Sequence, residues 1–342
     1  MSDTRVRVIV EAEIEEFKKL TTHYIGLWYD DIDESFAQII VDAHKKGFDP
    51  IGYFTKNKTI WVLECNGEMY GFLVATEKRG GSVKLAPGIM KPEYQRKKYG
   101  TFLWKSVENI YRDKGARKIY NHAPLRRVEL LRWVTSMGLN IEGYLKEQYR
   151  KGQDEYVAGK FLRETDKILH PIVTFSGNDV PYEIREYNSN NEHLLRELIL
   201  EEMPRWYNDI DESFFESVLK AEKRFHETYK KKGKKVFVIE GKDHLIGCCI
   251  ATPKRGGAVK LTPFLTRPND TTLKMSEGLL IYVEEYFKEM GYRKLYAPVP
   301  TLDISCCETF RKCKFEIEGL IKEPYKDSVD NFIFGRIIEE ST

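Results

Sequence analysis

Met90-Lys91-Pro92-Glu93-Tyr94-Gln95-Arg96-Lys97-Lys98-Tyr99-Gly100-Thr101-Phe102-Leu103-Trp104 is the stretch that decides how this chain reads. An apolar run ends at Met90, a basic turn with a glycine follows, and apolar residues then recur at helical spacing at Leu103, Val107, Ile110 and Tyr111. The pattern is strand, cationic turn, helix. A helix start leaves backbone N–H groups without intrahelical partners and carries a positive partial charge. Such a turn is therefore suited to an anion, a phosphate above all.

Outward from that stretch, the chain repeats itself at a shift of 176 to 178 residues. Trp28-Tyr29-Asp30-Asp31-Ile32-Asp33-Glu34-Ser35-Phe36 returns as Trp206-Tyr207-Asn208-Asp209-Ile210-Asp211-Glu212-Ser213-Phe214. Ala75 to Pro92 matches Ala251 to Pro268, including Lys78-Arg79-Gly80-Gly81 and Lys254-Arg255-Gly256-Gly257, and Ile141-Glu142-Gly143 returns as Ile317-Glu318-Gly319. Solenoid repeats run about 20 to 50 residues, so a period this long means two duplicated globular domains. The expected boundaries are residues 1–165 and 178–342, with the linker near His170-Pro171 and Ser176-Gly177-Asn178-Asp179.

Within the first domain the pattern predicts a strand over 6–10 and a helix over 14–27. A second helix follows, capped by Asp31 or Asp33, with Phe36, Ile39, Ile40 and Ala43 on its apolar face. Strands over 59–64 and 69–76 flank Asn66-Gly67, a strong hairpin signal. A strand over 83–90 leads into the basic turn and the helix at 100–114. A strand over 118–121, a helix over 128–137 ended by Gly138, and strands over 141–148 and 155–161 complete the unit. The fold class is α/β: β-α-α-β-β-β-α-β-α-β-β, a mixed sheet flanked by helices.

Composition narrows the function. With 342 residues, 42% hydrophobic, the chain can bury two cores, and 32% charged residues leave a net charge of only +2. Basic and acidic residues alternate along most of the chain, which argues against nucleic acid as a partner. No apolar stretch reaches membrane-spanning length, and Met1-Ser2-Asp3-Thr4-Arg5 leads into charged sequence, so the expected location is cytoplasmic. Six cysteines lack any Cys-x-x-Cys spacing; they read as buried free thiols, with no metal site.

These elements and motifs resemble the GNAT superfamily of acyl-CoA-dependent N-acetyltransferases. Gln95-Arg96-Lys97-Lys98-Tyr99-Gly100 is similar to that family's pyrophosphate loop, [Q/R]-x-x-G-x-[G/A], with Lys98 in place of the middle glycine. Met90-Lys91-Pro92-Glu93-Tyr94 is similar to its V-x-P-E-Y lead-in, and Ser136-Met137-Gly138-Leu139 with Glu142-Gly143 to its K-L-G-F and E-G ending. The resemblance covers both repeats and implies two tandem GNAT-like domains, each a mixed, mostly antiparallel sheet. It implies acetyl-CoA as acyl donor, held by Ile89, Met90, Gln95, Arg96, Lys97, Lys98, Tyr99, Gly100 and Thr101. The second repeat has Asn269-Asp270-Thr271-Thr272-Leu273-Lys274 at the aligned place, without the glutamine or the last glycine and with an acid placed to repel phosphate. Its cofactor loop is expected to be degenerate.

Acyl transfer to an amine needs a neutral nucleophile, and an amine of pKa near 10.4 is neutral only about once in 2,500 molecules at pH 7. A base, an oxyanion donor and an acid for the leaving thiolate are therefore required. The resemblance implies a backbone N–H near Met90 as oxyanion donor and a tyrosine as acid in the helix before Gly138, where this chain has Trp133-Val134 and its repeat Phe310. Substitutes are His122 and Tyr149, the latter repeated as Tyr325; each has a packing role as its alternative. Glu142 can equally close a turn or pair with Lys146, and Lys78 to Gly81 with Lys84 read as a solvated basic hairpin. Trp28, Tyr29, Asp31 and Asp33 are candidates for binding a cationic amine, by charge and by stacking, with a helix cap as the alternative for the acids. The expected function is direct acetyl transfer to a small-molecule or peptide amine. A non-catalytic acyl-CoA-binding or scaffolding protein is the rival reading, and oligomeric state stays open.

Overall fold

The computed structural model describes residues 4–49, 52–164, 167–225 and 233–338. The chain forms two compact units, Met1–Ile141 with Glu155–Thr165, and Glu142–Asp154 with Asp166–Thr342. The hairpin segment Glu142–Asp154 thus counts with the second unit, whereas the sequence repeat alone assigns it to the first.

The first unit runs β1 (Thr4–Val8), α1 (Ile14–Gly26), α2 (Glu34–Lys46), β2 (Thr55–Cys65), β3 (Glu68–Lys78), β4 (Ser82–Met90), α3 (Tyr99–Asp113), β5 (Lys118–Pro124) and α4 (Val128–Ser136). β6 (Asn140–Arg150) and β7 (Gln153–Phe161) follow. The sheet of this unit is ordered β1-β2-β3-β4-β5-β7, antiparallel except for the β4–β5 pair. Ile60, Val62, Phe72, Val74 and Ile89 pack under α1 and α2 on one face. Leu63, Leu73, Leu85, Ile119, Ala123 and Tyr156 meet Leu103, Trp104, Val107 and Val134 of α3 and α4 on the other. This alternation is the period-2 pattern of a sheet buried on both sides.

Local details correct the first strand and sharpen the rest. The first strand ends at Val8 because a 3-10 turn over Glu11–Glu13 follows, with Arg7 bonded to both Glu13 and Glu64. Glu64 is accordingly a buried partner of Arg5 and Arg7. At α2 the N-cap is Asp33, whose carboxylate accepts from the Ser35 hydroxyl, while Asp31 sits in a left-handed turn with φ 60°. The Asn66-Gly67 hairpin has φ of 52° and 80°, the doubly left-handed turn this dipeptide favours.

The second unit runs β8 (Glu183–Glu186), α5 (Glu192–Glu202), α6 (Glu212–Glu222), β9 (Lys235–Glu240), β10 (Leu245–Pro253), β11 (Ala258–Thr266), α7 (Leu273–Glu289), β12 (Lys294–Pro300), α8 (Ile304–Lys312), β13 (Glu316–Lys326) and β14 (Val329–Ile337). Its strands are ordered β6-β13-β14-β12-β11-β10-β9-β8. Gly143 of β6 pairs with Gly319 of β13, and a Cβ on Gly143 would lie 2.9 Å from the Gly319 Cα, so the repeated glycine permits this approach. Lys146 pairs with Glu316 here. Buried Lys294 bonds both oxygens of Glu318 at 2.8 Å, giving that repeated glutamate a structural partner. Among the described residues, no helix is long and apolar enough to cross a membrane.

Candidate active site

In the first unit the parallel pairing of β4 and β5 covers only Ser82↔Lys118, Val83↔Ile119 and Lys84↔Tyr120, although β4 continues to Met90 and β5 to Pro124. Beyond Lys84 the β5 side of β4 carries no ladder. The Lys91 N–H donates to the Tyr70 carbonyl on β3, so by strand alternation the Met90 N–H faces the opposite, open edge. That is the orientation an oxyanion donor needs. The Gln95 side chain donates to the Met90 carbonyl at 2.9 Å and folds the basic turn back against the strand end.

The turn itself is shaped by aromatic packing. Tyr94 stacks on Tyr70 at 3.5 Å, Tyr99 meets Tyr70 edge-on at 5.2 Å, and the Lys97 ammonium lies 5.9 Å from the Tyr94 ring. Arg96 and Lys98 have φ of 60° and 66°. Lys98 is the N-cap of α3 and takes the left-handed conformation that glycine adopts without strain. The side chains of Arg96, Lys97 and Lys98 are exposed, next to the first-turn amides of α3. A Cβ on Gly100 would meet only Met90 Cγ, at 3.5 Å, so the fold does not require glycine there, and the space stays open for a group at the helix start. The Thr101 hydroxyl accepts a 3.0 Å bond from Trp133 Nε1, and Trp133 packs edge-on against Trp104 at 5.3 Å. Trp133 therefore holds α4 to the first turn of α3 from the position where the family resemblance implies a tyrosine.

A second group of residues gathers on the α1/α2 face of the sheet. Register partners share a face, so Lys84↔Tyr120, His122↔Val157 and Pro124↔Glu155 place Lys84, Tyr120, His122 and Glu155 together on that side. His122 is thus inside β5, not in the loop after it, and its ring lies 5.9 Å from Tyr120. Glu155 is 1% exposed, while Lys84, Tyr120, His122 and Tyr29 remain partly exposed. Burial pushes the Glu155 carboxyl up to about 8, opposed by the nearby Lys84 cation and the hydroxyl of Tyr29 in the α1–α2 connection.

The remaining candidates are placed as follows. The Trp28 ring lies under the Arg127 guanidinium at 5.3 Å, which gives its face to a protein cation. Asp31 is exposed, and Asp33 bonds Ser35 at the α2 start. Tyr149 belongs to the Glu142–Asp154 segment of the second unit, its carbonyl 2.0 Å from where a Gly256 Cβ would stand. Its repeat, Tyr325, accepts a 2.9 Å bond from Lys260 Nζ and packs on Tyr207 at 5.0 Å. In the sequence alone Lys84 is part of a solvated hairpin and Glu155 only a strand residue. Aligning the repeats would have singled both out: Tyr29, Lys84 and Tyr120 persist as Tyr207, Lys260 and Tyr296, whereas His122 and Glu155 become Pro298 and Asn331.

The start of α7 in the second unit is built differently. Thr272 caps the helix, its hydroxyl accepting from Met275 N–H, and Asp270 lies 3.3 Å from His244. Residues 173–177 lie against this end of the unit. Val173 bridges to Asp303 beyond β12, Phe175 N–H donates to Ser305 at 2.6 Å and its ring packs on the core, and Ser176 N–H donates to the Pro268 carbonyl. A Cβ on Gly177 would stand 2.5 Å from the Thr271 nitrogen, so backbone lies directly on backbone where α3 is open.

Residues 21–128 match the family model described as the Acetyltransferase (GNAT) family. The match falls within the first unit. No curated protein matched the sequence. Among solved structures, a GCN5-related N-acetyltransferase from Sphaerobacter thermophilus is 13% identical with a TM-score of 0.51, over 99% of this chain and 97% of that one. A spermidine N-acetyltransferase from Vibrio cholerae, in complex with CoA and spermine, is 17% identical over 46% of this chain and 95% of its own, with a TM-score of 0.40. A GNAT-family acetyltransferase from Streptococcus pneumoniae is 14% identical over 46% and 99%, with a TM-score of 0.38.

Proposed function

We propose that the protein is an acetyl-CoA-dependent N-acetyltransferase that passes its acyl group directly to the amine of a small molecule or peptide, with the first unit as its working half. The observation that carries this reading is the open strand end. Met90 presents an amide to the gap beside β4, and the unblocked start of α3, flanked by Arg96, Lys97 and Lys98, lies next to it. Acyl-CoA, when bound, would supply a thioester carbonyl and a diphosphate. Gln95 to Thr101 would hold the diphosphate, with each charge at the helix start favourable by roughly 0.3–1 kcal/mol before specific hydrogen bonds. The Met90 N–H would accept charge building on the carbonyl oxygen. Tyr29, Lys84, Tyr120 and His122 line the adjoining face, where an amine would enter.

In this reading the domains run as the repeat indicates, 1–165 and 178–342, and the second does not take the cofactor. Support comes from the self-capped α7, from Asp270, and from residues 173–177 packed over the helix start. The rival, a non-catalytic acyl-CoA-binding protein, draws on Trp133 at the place where the resemblance implies an acidic tyrosine. A panel of amines assayed for thiol release from acetyl-CoA separates the two. Turnover that saturates with one amine class supports the transferase, and binding without turnover across the panel favours the rival.

A further inference from the structure

We propose that Glu155 is the catalytic residue that receives the proton of the acceptor amine, and that the acceptor is an aliphatic amine arriving as an ammonium ion. This rests on the acyl-transfer reading above. The carboxyl lies at the buried floor of the face lined by Tyr29, Lys84, Tyr120 and His122. Tyr156, its neighbour on β7, points to the opposite face and packs in the α3/α4 core. A carboxylate removed from water is a stronger base than one at the surface, and a base poised near the working pH combines availability with driving force. Lys84 on the same face favours the charged carboxylate and so helps keep Glu155 in the form that can accept a proton.

The step balances without any further reactant. The Glu155 carboxylate takes one N–H proton from the ammonium, and the freed lone pair forms a C–N bond to the acyl carbonyl. The C–S bond then breaks with its electron pair on sulfur, and a second N–H proton ends on that thiolate. His122, partly exposed, lies on the same face two residues along β5 from Pro124, the register partner of Glu155.

The repeat supplies an independent observation. The second unit keeps Tyr207, Lys260 and Tyr296 but replaces Glu155 with Asn331, a residue of related shape that cannot take a proton at this pH, and His122 with Pro298. Asn331 occupies the same register, opposite Pro300, and is 1% exposed. A merely structural glutamate would have no reason to disappear together with the histidine and the phosphate loop while its neighbours stay.

Two measurements test this, one of them without turnover. In protein labelled with 13C at glutamate carboxyls, the resonance missing from Glu155→Gln should titrate near pH 8 and shift its midpoint downward when butylamine is added. A midpoint in the ordinary carboxyl range, or no response to butylamine, would overturn the proposal. For an amine that the wild type acetylates, Glu155→Gln and Glu155→Asn should lower kcat about 100-fold or more and remove the pH limb near 8, leaving only the limb set by the amine. Acetyl-CoA affinity should stay within about twofold. Variants that keep the wild-type pH profile would sink the role of Glu155 alone, whereas a wild type that acetylates no amine would sink the transferase reading on which it rests.

Discussion

The two repeats begin their central helices in opposite ways. α3 opens from a basic turn whose cap, Lys98, offers no side-chain bond to the helix, and the space at Gly100 is unfilled. α7 is capped by Thr272 and overlain by the backbone of Gly177. One fold therefore leaves the start of α3 without a side-chain cap and bonds a first-turn amide of α7, that of Met275, to its own Thr272. An anion site requires that those amides be left for a ligand, and a unit that satisfies them internally gains stability and gives up binding. The polar residues on the sheet divide the same way, with Glu155 and His122 in one unit and Asn331 and Pro298 in the other.

The largest effect that would sharpen this contrast is in stability against pH. Glu155 is held above the ordinary carboxyl value, so the folded state binds its proton more tightly than the unfolded chain does. Its favourable contribution is full below about pH 4.5 and is lost as pH rises toward 8. Relative to Glu155→Gln, the wild type should lose on the order of 4 kcal/mol across that window in urea unfolding, and equal curves at both ends would contradict the buried carboxyl. At the helix starts, Gly100→Glu should weaken acetyl-CoA binding by about 100-fold, because a carboxylate would replace an open approach to phosphate. The fold should hold, since an acid at a helix N-terminus is favourable; undiminished binding in calorimetry would remove this loop from the cofactor site.

Smaller changes probe the covered helix and the strained cap. Phe175→Ala should cost about 2 kcal/mol in the second unit, less than for a fully buried ring because Phe175 is only partly buried. It should not create a second acetyl-CoA site; a second equivalent of bound cofactor would show that residues 173–177 alone close that unit. Lys98→Gly should raise stability by about 0.5–1 kcal/mol in thermal unfolding by relieving a left-handed lysine. Acetyl-CoA should bind the variant a few-fold more weakly for the lost charge, and a tighter complex would mean that Lys98 hinders the phosphate.

Most of the fold was legible because it is written in short-range signals. Asn66-Gly67, the cationic turn before Leu103 and the alternating strands specify their own geometry, and the long-period repeat doubles each of them. Hidden from that reading were facts of register and cross-strand packing. Nothing local says that His122 lies inside β5 or that Glu155 shares its face, since both follow from which residues pair across strands. Trp133 could not be assigned from its neighbours either, because its partner Thr101 is on another helix. The hairpin Glu142–Asp154 likewise looks like the end of one repeat, and only the assembled chain groups it with the other.

The asymmetry between the helix starts is the central claim, and calorimetric titration of the intact chain with acetyl-CoA tests it most directly. One equivalent of bound acetyl-CoA per chain, lost in Gly100→Glu and kept in Asp270→Asn, is the predicted result. No binding, or two equivalents of similar affinity, would contradict the account.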